Sequence, residues 1–231
     1  KLHVVLQGYV AGTLSNPASI PLVEPYFSPQ NVIEIPPPMP QQAAAFGDRI
    51  ATGDFNADGI EDLAIGAWFE TVAGQLAAGR VYVLWGPDFQ SFLQFSPPTP
   101  KFAETFGASV MADDLDGDGI DDLVIGEGPG EPPTGSKGRF YVYHGGIGFS
   151  PTASLVVPSA GAGSDYTNFG RSAALGDLND DGYPEIVAGV TNATNGSLTW
   201  AGRVDVYFGP DYVVRQPISS PEPGQNDFFG S

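Results

Sequence analysis

An all-β fold built from a repeated four-stranded unit is predicted by three observations. A Phe-Gly pair recurs at near-constant spacing, an Asp-rich loop follows it at a fixed distance, and short apolar runs are separated by Gly, Pro and Asp. The Phe-Gly pairs are Phe46-Gly47, Phe106-Gly107, Phe169-Gly170 and Phe229-Gly230, with offsets of 60, 63 and 60 residues. Such a period must be recognised before single segments are interpreted, because it decides the architecture.

Eight residues after each of the first three pairs stands an Asp: Asp54, Asp114 and Asp177. The loop it opens leads into an apolar run: Leu63-Ala-Ile-Gly66, Leu123-Val-Ile-Gly126 and Ile186-Val-Ala-Gly189. A Gly-Arg pair then begins a β-rich run at Gly79-Arg80, Gly138-Arg139 and Gly202-Arg203. A last short run closes each unit at Phe92-Leu-Gln-Phe95, Ser154-Leu-Val-Val157 and Tyr212-Val-Val-Arg215. Runs of this length, bounded by turn residues and lacking a 3.6-residue period, are strands. Four strands per unit, repeated, describe β-propeller blades, and no helix is expected.

The unit boundaries follow. Residues 36–98, 99–158 and 159–220 are expected to be complete blades with loops at 54–62, 114–122 and 177–185. Residues 1–35 are expected to supply the last two strands of a preceding blade, with an insertion or N-terminal arm at about 9–30. Residues 221–231 would start a further blade.

The chain has 231 residues, no cysteine and a net charge of −18. Such a field repels a phosphate backbone and argues against nucleic acid as a partner. Without cysteine there is neither a disulfide framework nor a thiolate metal site. No apolar stretch approaches a membrane span. Residues 1–10 lack a signal-peptide pattern, so an export signal is expected to be removed or to lie elsewhere. The acid is clustered: the three loops hold 13 of the 27 acidic residues.

The loops read Asp54-Phe-Asn-Ala-Asp-Gly-Ile-Glu-Asp62, Asp114-Leu-Asp-Gly-Asp-Gly-Ile-Asp-Asp122 and Asp177-Leu-Asn-Asp-Asp-Gly-Tyr-Pro-Glu185. Calcium takes six to eight hard oxygen ligands. Side chains at positions 1, 3 and 5 (Asp54, Asn56, Asp58; Asp114, Asp116, Asp118; Asp177, Asn179, Asp181) converge when the backbone curls tightly. Gly at position 6 permits the positive φ of that curl. The carbonyl of position 7 (Ile60, Ile120, Tyr183) is expected to turn inward while its side chain packs into the sheet. The acid at position 9 (Asp62, Asp122, Glu185) would close the shell. One Ca2+ per complete blade, three in all, is the expectation. An EF-hand starts alike but needs an acid at position 12; Ile65, Ile125 and Ala188 stand there. The loops are therefore expected to join β-strands.

Taken together, Phe-Gly, the acidic loop and the apolar-Gly run resemble the FG-GAP repeats of the integrin α-subunit propeller and of bacterial surface proteins, over roughly residues 31–231. The resemblance implies that each loop joins strands one and two on the lower face of its blade. Ile65-Gly-Ala-Trp68 keeps only part of the Gly-Ala-Pro element, and Glu127 and Val190 replace its Ala. Glu185 is longer than the usual Asp, so a looser or shifted third site is expected.

Catalytic groups are sparse. His3 and His144 read as ordinary strand residues, and Glu70, Glu104, Glu127, Glu131 and Asp165 as solvated connector acids. Tyr82, Trp85, Tyr141, Tyr143, Tyr207 and Phe208 read as packing between blades. The expected function is a non-catalytic, secreted or surface-exposed calcium-binding module for adhesion or for recognition of a protein or glycan. Recognition is expected opposite the loops, on connectors 67–78, 127–137 and 190–201 together with 36–45, 97–105 and 158–168. The alternatives are a subunit of a surface layer or filament completed by neighbouring chains, and an accessory domain of a larger secreted enzyme.

Overall fold

The computed structural model describes residues 2–5, 32–130, 137–160, 168–194 and 197–231, in two units, Lys1–Met39 and Pro40–Ser231. The segment expected as an insertion at 9–30, with Glu131 and Asp165, lies outside the described residues. In the first unit β1 (Leu2–Val5) pairs antiparallel with β2 (Val32–Ile35), Leu2 opposite Ile35.

The second unit contains three four-stranded antiparallel sheets and, among the described residues, no helix. The first sheet is β3 (Arg49–Gly53), β4 (Asp62–Ala67), β5 (Arg80–Leu84) and β6 (Phe92–Phe95). The second is β7 (Phe106–Asp113), β8 (Asp122–Pro129), β9 (Lys137–Tyr143) and β10 (Leu155–Pro158). The third is β11 (Ala173–Gly176), β12 (Glu185–Val190), β13 (Arg203–Tyr207) and β14 (Arg215–Ser219). Each runs in sequence order, and the sheets do not close into a barrel. This is the all-β, blade-like architecture expected from the sequence.

One strand lies elsewhere than the sequence suggested. Tyr212-Val-Val214 belongs to the turn after β13, and the fourth strand begins at Arg215. Tyr212 is buried and its hydroxyl donates to the Pro184 carbonyl at 3.0 Å, which pulls it out of the ladder. Arg215 instead enters the ladder opposite Tyr207 and reaches Asp205 at 2.9 Å.

Side-chain alternation splits the second sheet between two cores. Leu123, Ile125, Tyr141 and Tyr143 face the first sheet with Phe55, Val83, Phe95 and Phe106. Val124, Phe140 and Val142 face the third with Phe169, Ile186 and Tyr207. Both faces of β8 are thus buried, which is why that strand reads as a continuous apolar run.

The Phe-Gly motif clasps one sheet to the next. The Phe106 amide donates to the Ala78 carbonyl at 2.9 Å, and Phe229 to Ala201 at 3.3 Å, with parallel bridges from Gly79 to Phe106 and Gly202 to Phe229. A Cβ on Gly79, Gly138 or Gly202 would collide with the carbonyl of Phe106, Phe169 or Phe229. That steric demand makes the glycine of each Gly-Arg pair obligatory. Its arginine neutralises a buried acid: Arg80 meets Glu70 at 3.2 Å, Arg139 meets Glu127 at 2.9 Å and Arg203 meets Asp205 at 2.8 Å.

Glu70, Glu104 and Glu127 are therefore not solvated connector acids; all three are buried. The Tyr82 and Tyr141 hydroxyls donate to Glu70 and Glu127. Paired, hydrogen-bonded burial of this kind leaves no uncompensated charge.

Candidate metal centres

The three acidic loops join β3 to β4, β7 to β8 and β11 to β12, at one end of the stacked sheets. Each is held by the same set of backbone amides. The carboxylate at position 1 accepts from the amides of positions 5 and 6. Asp54 takes Asp58 and Gly59 at 3.0 and 2.7 Å. Asp114 takes Asp118 and Gly119 at 3.1 and 2.8 Å, and Asp177 takes Asp181 and Gly182 at 3.2 and 2.9 Å.

Asn56, Asp116 and Asn179 accept from the amide of position 5. Asp58, Asp118 and Asp181 accept from the amides of Ile60, Ile120 and Tyr183. The acid at position 9 accepts across the loop from position 2: Asp62 from Phe55, Asp122 from Leu115, Glu185 from Leu178. Gly59, Gly119 and Gly182 take φ of +82°, +84° and +89°. This amide framework curls the chain in all three loops, and in the second it accompanies a close grouping of Asp114, Asp116 and Asp118.

The position-7 side chains do not enter the sheet. Ile60 is exposed, and the Cγ2 atoms of Ile60 and Ile120 lie against Gly86 and Gly145, just beyond β5 and β9. The tight turn after the third strand leaves a shelf there that the sheet interior does not.

In the first two loops the acid at position 9 is buried beside other carboxylates. Asp62 and Asp122 are each about 1% exposed. Burial pushes the Asp62 carboxyl above its usual range, Asp58 and Asp54 adding to the rise against the pull of the Gly86 and Phe55 amides. Burial likewise raises Asp122, with Asp116 adding and the Gly145 and Leu115 amides and His144 opposing. Asp114, Asp116 and Asp118 each place a carboxylate oxygen within 4.8 Å of the others. Hard oxygen donors in this number suit a divalent cation of the calcium or magnesium type.

The loops differ in their surroundings. Asp62 and Asp122 also accept from Gly86 and Gly145 at 2.9 and 2.7 Å, tying each loop to the turn after the third strand. Glu185 turns its other oxygen to the Asn179 amide group at 3.3 Å. The first loop is also capped by its neighbour, because Asp121 accepts from the Asp54 amide at 2.9 Å. Gly53 leaves the room: a Cβ there would come within 2.8 Å of the Asp121 Cβ. Between the second and third loops Pro184 replaces that acid, and the Asp114 amide donates to Asp113 instead.

His144, expected as an ordinary strand residue, stands instead beside the second loop. It lies one residue beyond β9, with Nδ1 2.9 Å from Asp116 Oδ2 and 3.4 Å from Asp122 Oδ2. The repeat itself held the signal: Trp85, His144 and Phe208 occupy one register position, beside the glycine that meets each loop.

An all-β stack of repeated four-stranded sheets, each with an acidic nine-residue turn after its first strand, defines a class of blade-forming repeat proteins. The FG-GAP repeat family matches residues 46–84, and an FG-GAP-like repeat matches 114–188. The chain carries FG-GAP repeats and is homologous to integrin α subunits. Integrin alpha-5 of Xenopus laevis is 33% identical over 228 residues, covering 90% of this chain and 20% of the relative. Integrin alpha-4 of the same organism is 28% identical over 185 residues, covering 80% and 17%. Phosphatidylinositol-glycan-specific phospholipase D of Bos taurus is 27% identical over 195 residues, covering 75% and 22%. The chain thus spans about a fifth of the length of these relatives.

Proposed function

We propose that each acidic loop holds one Ca2+, three in all, and that the module recognises a protein or glycan without performing chemistry. Asp54, Asn56, Asp58, the Ile60 carbonyl and Asp62 would hold the first ion. Asp114, Asp116, Asp118, the Ile120 carbonyl and Asp122 would hold the second. Asp177, Asn179, Asp181, the Tyr183 carbonyl and Glu185 would hold the third. The observation that carries this reading is the amide framework, repeated bond for bond in three loops, which orients oxygens that otherwise repel. A bound dication would relieve that repulsion and fasten the first and second strands of each blade.

The blades are taken to span 36–98, 99–158 and 159–220, with 1–35 completing a preceding blade and 221–231 opening another. Recognition is assigned to the end opposite the loops. Connectors 67–78 and 97–105 meet there, and a cavity of about 270 Å3 opens between Lys101, Glu104, Glu127 and Arg139. The extracellular or cell-surface setting fits a millimolar calcium supply, and the integrin and phospholipase relatives support it by homology.

Self-assembly is the second reading. It is favoured by Val213 and Val214 at the turn before β14, 78% and 63% exposed. Calcium-dependent polymers in a size measurement would select it over a recognition module.

The test is a calcium titration with calorimetry on the whole chain. Three ions are expected, falling to two in the combined Asp114→Ala, Asp116→Ala, Asp118→Ala variant. The melting point in saturating calcium should fall by about 5–10 °C. An unchanged stoichiometry and melting point would overturn the second site.

A further inference from the structure

The second loop differs from the other two in one donor atom. At the position just past the third strand, the first sheet has Trp85 and the third has Phe208. Neither can ligate a metal through nitrogen, since the indole N–H is a donor only. His144 in the second sheet can. Its Nδ1 is enclosed by protein and makes no hydrogen bond, although Asp116 Oδ2 is only 2.9 Å away.

That combination has a specific geometric meaning. A hydrogen bond at this distance requires the N–H to point at its acceptor. Two ligands of one metal ion, by contrast, point at a third place and not at each other. With bonds of about 2.1 Å, such ligands lie about 3.0 Å apart when the bonds meet at 90°, and about 3.4 Å apart at the tetrahedral angle. The imidazole nitrogen lies 2.9 Å from Asp116 Oδ2 and 3.4 Å from Asp122 Oδ2. All three donors fall within 4.8 Å of one another, and Asp122 is buried.

We propose that the second loop, unlike the other two, is a mixed nitrogen–oxygen site for a first-row transition dication such as Zn2+, held by His144 Nδ1, Asp116 and Asp122. Imidazole suits zinc, copper and nickel, whereas calcium selects oxygen. Asp116 and Asp122 belong also to the proposed calcium set, so the two ions compete for one loop. The inference deepens the calcium reading of that loop but rests on the nitrogen donor, which calcium does not use.

The experiment titrates chelator-treated protein with Zn2+, and separately with Co2+ followed by its visible absorption. Wild type is compared with His144→Phe, which installs the third sheet's residue, and with His144→Gln, which keeps a polar side chain of similar size. Near-UV circular dichroism in calcium checks the fold. One zinc is expected to bind wild type about tenfold or more tightly than either variant. It should displace one calcium, while both variants keep the wild-type calcium stoichiometry.

Equal zinc affinity in wild type and a folded variant overturns the proposal, whatever calcium does. His144-dependent zinc binding in a protein that takes up no calcium sustains it and removes the calcium reading. Three bound calcium ions with no dependence of zinc on His144 do the reverse.

Discussion

The loops at 114–122 and 177–185 follow one hydrogen-bonding template in different surroundings. In the second loop Leu115 is 1% exposed, packed in the core that includes Phe140 and Phe169, while Leu178 at the same position of the third loop is 62% exposed. Asp122 bridges its loop to Gly145, whereas Glu185 folds back onto Asn179. Asp121 reaches across to cap the first loop, and Pro184 at the matching position has no carboxylate to offer the second. The curl of such a loop is a local property. Its coupling to the rest of the molecule depends on which neighbour each spare side chain finds.

The largest effect should come from the residue at position 2. Leu115→Ala empties a buried site and is expected to cost about 2–5 kcal/mol, read as a drop in the unfolding midpoint. Leu178→Ala should stay within about 0.5 kcal/mol of wild type. Similar losses in the two variants would erase the distinction between an embedded and an exposed loop.

Exchanging the acids at position 9 should sharpen it. Glu185→Asp is expected to free Asn179 and tighten calcium at the third loop, while Asp122→Glu should weaken the second about tenfold, or ~1.4 kcal/mol, by isothermal titration. An Asp122→Glu protein with undiminished affinity would mean that the tie to Gly145 contributes nothing.

The smallest effect concerns the link between loops. Asp121→Ala should cost about 0.5–1 kcal/mol at the first loop and speed amide exchange at Asp54. Pro184→Ala should leave exchange at Asp114 unchanged, because Asp113 already accepts that amide. Slow exchange at Asp54 in the Asp121→Ala protein would show the two loops to be independent.

Much of the site was legible because its logic is local. Spacing alone placed Asp54, Asp114 and Asp177 at the head of each loop, and gave Gly59, Gly119 and Gly182 the positive φ that they adopt. The packing of Ile60 and Ile120 is not legible locally, since the shelf at Gly86 and Gly145 forms only when the third strand returns beside the loop. His144 reads as a strand residue for the same reason, its neighbours Asp116 and Asp122 being more than twenty residues away in the chain. Glu70 and Glu127 read as solvated acids because nothing in the linear sequence pairs them with Arg80 and Arg139, which the fold brings to 3.2 and 2.9 Å.

The sequence by itself determined the repeat, the all-β class and the curl of the acidic loops. Strand alternation, turn glycines and Asp-to-amide bonds all act within a few residues, so their pattern is written consecutively. Only the tertiary structure decided what the Phe-Gly pairs are for, which buried acids the Gly-Arg arginines neutralise, and which loop acquires an imidazole. Each of those depends on two stretches of chain far apart in sequence meeting at contact distance, and stacking one sheet on the next is what brings them together.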